Sequence, residues 1–289
     1  MRTSRLAPVL VLLVGVLGVS TGAIFVRMAD AHPIVKSAYR LGMASLILVP
    51  IAVCFHWREY RTLSRRDVGI GLLSAAFLVL HFALWMTSLD YTTVASSVML
   101  VSTVPIWVAL INMLLGRGRP SRAMSLCIVL SVIGASIVGY GDVSFDRDAL
   151  TGDALALAGA VAASVYILCG RELRMKLSVV PYVALCYGSA AVMMWCVALA
   201  MGLKLSGFSG RTWGAFLGMA LMAQVIGHSC YNWALGYFSA GTVSVVLLGE
   251  PLGSAVIAYF MFGEVPTPMK LAGCALLMLS IVLTARSGE

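Results

Sequence analysis

Residues 81–105 read HFALWMTSLDYTTVASSVMLVSTVP, and residues 228–251 read HSCYNWALGYFSAGTVSVVLLGEP. Shifted by 146, Leu89-Asp-Tyr91 falls on Leu235-Gly-Tyr237, Ser96 on Thr242 and Pro105 on Pro251. Shifted by 147, His81 falls on His228, Trp85 on Asn232 and Cys127 on Cys274. The match runs outward with small drifts of the kind loop insertions produce. A shift of 144 carries Ser20 to Ser164 and Arg27 to Arg171, and one of 148 carries Pro33 to Pro181 and Tyr39 to Tyr187. Each pair alone is weak, but the collinear set reads as an internal duplication.

Composition says what is duplicated. Of 289 residues, 61% are hydrophobic and 11% charged, with a mean hydropathy of +0.97. Soluble domains are nearer half apolar and a quarter charged, so a soluble enzyme and a disordered chain are both excluded. A bilayer-crossing helix needs about 20 apolar residues, and ten such windows fill the chain. They cover about 7–27, 33–56, 67–89, 92–115, 121–140, 152–171, 178–202, 212–236, 239–262 and 266–285. The first is too long for a signal-peptide core and is expected to be a retained span. The net charge of +8 does not point to nucleic acid, because Lys and Arg sit in short turns between apolar runs. Seven cysteines, an odd number with no CxxC, read as small packing residues.

Thirteen of the 20 Lys and Arg fall in segments that are cytoplasmic if the N-terminus is inside, and six fall in the opposite loops. That bias predicts both termini in the cytoplasm. The duplication then divides the chain into a five-helix unit at 1–141, an external linker at 142–151 and a second five-helix unit at 152–289. Five crossings is an odd number, so the second unit enters the membrane upside down. The expected fold is all-α, with ten transmembrane helices as two inverted five-helix repeats, a construction that opens a midplane cavity to either face.

Polar groups in hydrocarbon mark such a cavity. Gln224, His228 and Asn232 are spaced i, i+4 and i+8 and are expected on one face of span eight. His81 and Trp85 form the matching stripe on span three, and together the stripes are read as two substrate-binding walls. Trp85, Met86, Tyr91, Met99, Trp107, Tyr166, Tyr231 and Trp233 supply aromatic and sulfur groups nearby, suited to a flat or thioether side chain. Ser20 and Ser164 either offer hydroxyls to a polar head group or bond back to their own helices. Glu250, in Gly249-Glu250-Pro251, is a candidate proton-coupling site or amine contact, with Pro251 and Pro105 as candidate gating kinks. Arg40, inside span two, has no assignable acidic partner and would snorkel if its depth is shallow. No zincin, nucleophile-elbow or P-loop motif occurs, and no metal or cofactor is expected.

The two five-span halves, the Leu89-Asp-Tyr91 and Leu235-Gly-Tyr237 junctions, Pro105 and Pro251, and Gly263-Glu264 beside Pro266 resemble the EamA-type drug/metabolite transporters. The likeness runs over about residues 7–285 and departs from the pattern at Gly116-Arg117, where the first half lacks the Gly-Glu of the second. Within the family the chain looks most like the YddG-type amino-acid exporters of bacterial inner membranes. That resemblance implies a multi-pass transporter exporting aromatic and other neutral amino acids. The expected partners are a small-molecule substrate, the lipid bilayer and, through Glu250, protons. The alternatives are a multidrug or other metabolite carrier of the same fold and, further away, an intramembrane enzyme or a receptor.

Overall fold

The structure, a computed structural model, describes residues 6–92, 94–139, 147–262 and 267–287. Every regular element among them is helical. Five helices are long and apolar enough to cross a bilayer: Ala7–Met28, Pro33–Tyr60, Arg65–Ser88, Arg147–Arg174 and Val179–Ala200. Three shorter apolar helices, Val104–Leu114, Arg122–Ile137 and Leu271–Thr284, accompany them. Large apolar side chains face outward. Leu46, Phe55, Leu114 and Phe260 are 77%, 78%, 77% and 79% exposed, a surface that suits lipid and not water.

Several windows expected to be single helices are interrupted. The first span is α1 (Leu6–Ser20) and α2 (Gly22–Met28), parted at Thr21, whose hydroxyl donates to the Gly18 carbonyl at 2.7 Å. Spans two and three are the unbroken α3 (Pro33–Tyr60) and α4 (Arg65–Ser88); the latter starts in a Ser64/Asp67 capping box. The fourth span breaks at Ser102-Thr103 into α5 (Val94–Val101) and α6 (Val104–Leu114), with Pro105 in the first turn of α6. Span five is α7 (Arg122–Gly139). Then α8 (Arg147–Arg174) begins five residues inside the stretch expected as linker, because Arg147–Thr151 already make helical turns. The rest of that acidic segment, like Gly263-Glu264 and Pro266, lies outside the described residues.

The second half follows with α9 (Val179–Ala200), then a composite eighth span: α10 (Gly210–Gly218), a π-helical segment over Met219–His228, and α11 (Ser229–Ala234). The ninth span breaks at Leu247-Leu248 into α12 (Ala240–Val246) and α13 (Gly249–Phe262), and α14 (Pro268–Ser287) closes the chain. Pro251 sits in the first turn of α13 as Pro105 does in that of α6. A proline has no N–H to donate to the preceding turn. In a membrane such breaks are tolerated where the freed backbone lines a cavity or is buried in protein.

Packing pairs α4 with α8 and α1 with the π segment, α4 with α9 and α3 with the π segment, α5 with α7 and α12 with α14. Spans two and seven meet as α3 and α9, and spans five and ten as α7 and α14. Gly18 makes the α1 contact close: a Cβ there would lie 2.8 Å from the Met222 carbonyl and 2.9 Å from Gly227 Cα. Small residues are what let membrane helices approach.

The polar ends of the bundle fix which loops lie together. At one end Lys176 bridges Asp67 at 2.6 Å, Arg66 and Arg117 both bridge Glu172, Ser178 caps onto Glu59, and the Tyr60 hydroxyl donates to Pro181. At the other end Tyr39 donates to the Leu205 carbonyl, Asp30 N–H to Thr212, and Thr92 to Asp153. The 28 residues of α3 separate these ends, about 42 Å at 1.5 Å per residue. In a cysteine-free background, Thr62→Cys and Ser206→Cys are therefore expected to react with a membrane-impermeant thiol reagent from opposite faces of intact vesicles. Labelling of both from one face would contradict the arrangement.

Candidate functional site

One cavity of about 90 Å³ opens where the broken helices meet. Its wall takes residues from spans one, two, three, four, six, eight and nine. Span four contributes Ser102 and Val104 at its break, and span nine contributes Leu247, Leu248, Glu250 and Pro251 at its own. His81, Phe82 and Trp85 come from α4, Tyr166 from α8, and His228, Tyr231 and Asn232 from the end of the π segment and α11. His81 is fixed by its Nδ1 at 3.0 Å from the Gly159 carbonyl, and its ring stacks with Trp85.

Arg40 is the charge around which the wall is built. It is 2% exposed, so it does not reach an interface, in contrast to the snorkelling expected if it were shallow. Its partners are an amide and a ring. Nε donates to Gln224 Oε1 at 2.7 Å, and Cζ stands 4.2 Å from the centroid of Phe82. Both contacts stabilise a guanidinium without neutralising it. The four described ion pairs all lie at one end of the bundle, and none includes Arg40 or Glu250. Glu250 is half-buried and lines the cavity.

The structure brings His81, Trp85, Tyr166, His228, Asn232, Glu250 and Pro251 to this one wall. Gln224 stands behind it, holding Arg40. Gln224 and His228 are the sixth and last residues of the π segment Met219–His228. Tyr91 sits beyond the end of α4, 45% exposed, and is not part of the wall. Pro105 is buried in the turn behind Val104. The side chain of Met99 lies outside the described ones.

Ser20 and Ser164 are fully buried and off the wall. Each bonds back to its own helix, at Val16 and Ala160, and each also reaches a distant carbonyl. Ser20 donates to Glu250 O at 3.2 Å and Ser164 to Val104 O at 3.2 Å. Those carbonyls belong to the residues before Pro251 and Pro105, so the two serines brace the two breaks in the same way. Sequence reading found the serines and the prolines but not this link, since helical periodicity says nothing about which carbonyl a hydroxyl will meet.

Asn232 organises the remaining side. Its Nδ2 lies 2.5 Å from the Tyr166 hydroxyl, 2.8 Å from that of Tyr187 and 2.9 Å from the His228 carbonyl. One amide has two protons for three acceptors, and the Tyr187 hydroxyl also bonds the Ser229 and Tyr166 side chains.

The model of the EamA-like transporter family matches residues 6–140 and again 150–286. The chain belongs to that family. Among relatives, two uncharacterized transporters of Archaeoglobus fulgidus (strain ATCC 49558 / DSM 4304 / JCM 9628 / NBRC 100126 / VC-16) are each 23% identical. The first aligns over 92% of this chain and 92% of its own length, the second over 90% and 91%. The uncharacterized transporter YdfC of Bacillus subtilis (strain 168) is 21% identical over 81% of this chain and 76% of its own. One solved crystal structure superimposes with a TM-score of 0.80 at 16% identity, covering 99% of this chain and 98% of that one, which shows a shared fold. The protein is thus a multi-pass membrane transporter of the EamA family.

Asn232→Ala removes the donor shared by the Tyr166 and Tyr187 hydroxyls, while Tyr187 keeps its side-chain bonds to Ser229 and Tyr166, at roughly 1–3 kcal/mol for the weakened buried network. A lowered thermal midpoint in detergent is expected, with Tyr187→Phe giving a smaller drop because it deletes a partner and orphans less. Equal midpoints for Asn232→Ala and the unaltered protein would contradict the network.

Proposed function

We propose that this EamA-family transporter exports amino acids, aromatic ones included, across the bacterial inner membrane by alternating access, with both termini in the cytoplasm. The observation that carries the reading is the cavity between two matched helix breaks, before Pro105 and before Pro251. Breaks of this kind give a wall that two different bundle packings can share. On this reading residues 1–141 and 152–289 are two inverted repeats joined by a short external linker. Three facts support the inversion: the packing pairs that recur under exchange of spans one to five for six to ten, the serine braces on both breaks, and the clustering of alternate loops at opposite ends.

The substrate class follows from the wall. Trp85, Phe82, Tyr166 and Tyr231 suit a flat side chain, while His81, His228 and Asn232 offer polar contacts. Glu250 is the acid among the described lining residues, and it is the candidate to exchange a proton for an amine during the cycle. The mostly apolar wall favours a second reading, a carrier of diverse amphiphiles with the same fold.

Efflux of labelled phenylalanine, tryptophan and methionine from proteoliposomes, with and without a pH gradient, tests the proposal. Saturable efflux accelerated by the gradient is expected, and Glu250→Gln should remove the acceleration. Efflux of cationic dyes without any amino-acid flux would replace the substrate assignment with the second reading. Gradient-dependent efflux persisting in Glu250→Gln would exclude coupling through that residue.

A further inference from the structure

The cavity wall carries two opposite charges that the protein does not join. Arg40 uses Nε on Gln224 and one face of its guanidinium on Phe82, and among the described residues its terminal Nη1 and Nη2 have no hydrogen-bond partner. The Glu250 carboxylate has none among the described residues either, although its backbone carbonyl is braced by Ser20. The two side chains act on each other electrostatically across the cavity, yet they are not in ion-pair contact. A pair kept only to neutralise itself gains most by closing to contact, because attraction in a low-dielectric interior rises steeply as separation falls.

Two further groups on the same wall are left without protein partners. Trp85 is 5% exposed and Tyr231 is 5% exposed, and Trp85 Nε1 and the Tyr231 hydroxyl are buried with no hydrogen bond. Buried polar groups are nearly always satisfied, so two orphans lining one cavity beside two unjoined charges call for a ligand with matching groups. Their placement sorts by chemistry. Trp85, a donor only, lies one helical turn along α4 from Phe82, the ring that carries Arg40. Tyr231, which can accept, is within electrostatic reach of Glu250.

Resting on the amino-acid reading above, we infer that Arg40 and Glu250 are the two charge-reading ends of a zwitterion site. The Arg40 Nη groups and Trp85 Nε1–H take the α-carboxylate, and the Glu250 carboxylate with the Tyr231 hydroxyl takes the α-ammonium. The substrate side chain lies against the aromatic part of the wall. Selectivity then depends on both charges being present on one small molecule. A monoamine leaves Arg40 buried and unpaired, and a monocarboxylate does the same to Glu250.

Competition against labelled phenylalanine, bound to the purified full chain in detergent, tests this with three probes of similar size: phenylalanine, phenethylamine and 3-phenylpropionate. In the unaltered protein phenylalanine should compete about tenfold or more better than either analogue, since leaving one buried charge unpaired is costly. Arg40→Gln should erase the preference over phenethylamine and keep that over 3-phenylpropionate, and Glu250→Gln should do the reverse. Trp85→Phe, which keeps the ring and deletes the N–H, should weaken phenylalanine and 3-phenylpropionate while sparing phenethylamine. If Arg40→Gln is not monodisperse, Arg40→Lys with Trp85→Phe carries the anionic arm, and retained rejection of phenethylamine in Arg40→Lys is the expected result. Phenylalanine bound and exported normally with the ranking unchanged in every variant would overturn the zwitterion site and leave the amino-acid reading standing. No binding or flux of phenylalanine in the unaltered protein would remove both.

Discussion

A guanidinium enclosed in a bundle of membrane helices sets the terms for this protein. Arginine stays charged, and hydrocarbon gives it neither water nor counter-ion. Arg40 is therefore held by what neighbouring helices bring to it, the Gln224 amide and the Phe82 ring. Those two contacts tie span two to spans eight and three. Gln224 comes from the π segment. Local π turns recur at functional positions.

The helix breaks answer a related constraint. Backbone N–H and C=O groups have no solvent in the bilayer interior, so an interrupted helix survives only where protein or a cavity satisfies it. Both breaks lie on the wall of one cavity, both come just before a proline, and both are braced by a buried serine from a helix of the opposite half. A transporter needs its substrate site to be rigid in its contacts and mobile in its access. The short helices α5 and α12 pack against the long α8 and α14.

Much of this was legible in the sequence, and the parts that were not have physical reasons. Apolar window length was legible because the bilayer imposes it: five of the ten expected spans are helices long and apolar enough to cross, and others are shorter or interrupted. The Pro105/Pro251 match located the two breaks. Periodicity put Gln224 on the wall with His228 and Asn232, but it could not say that the side chain would be spent on Arg40. It could not find the partner of Arg40 because that partner is an amide in the other half of the chain and not an acid nearby. Ser20 and Ser164 stood out as a repeated pair, but a hydroxyl on an apolar helix has several carbonyls within reach, and only packing selects one. Tyr91 shows the opposite error: an aromatic close in sequence to the cavity helices projects beyond the end of α4.

The central claim is that the wall shared by the two breaks is reached from each side of the membrane in turn. Single cysteines at Ser102 and Ser244, both on that wall, placed in a cysteine-free chain, test it directly with an impermeant thiol reagent applied to right-side-out and inside-out vesicles. The account predicts that each position reacts from both faces and that saturating phenylalanine protects it. Reaction from one face alone under all conditions, or from neither, would contradict it.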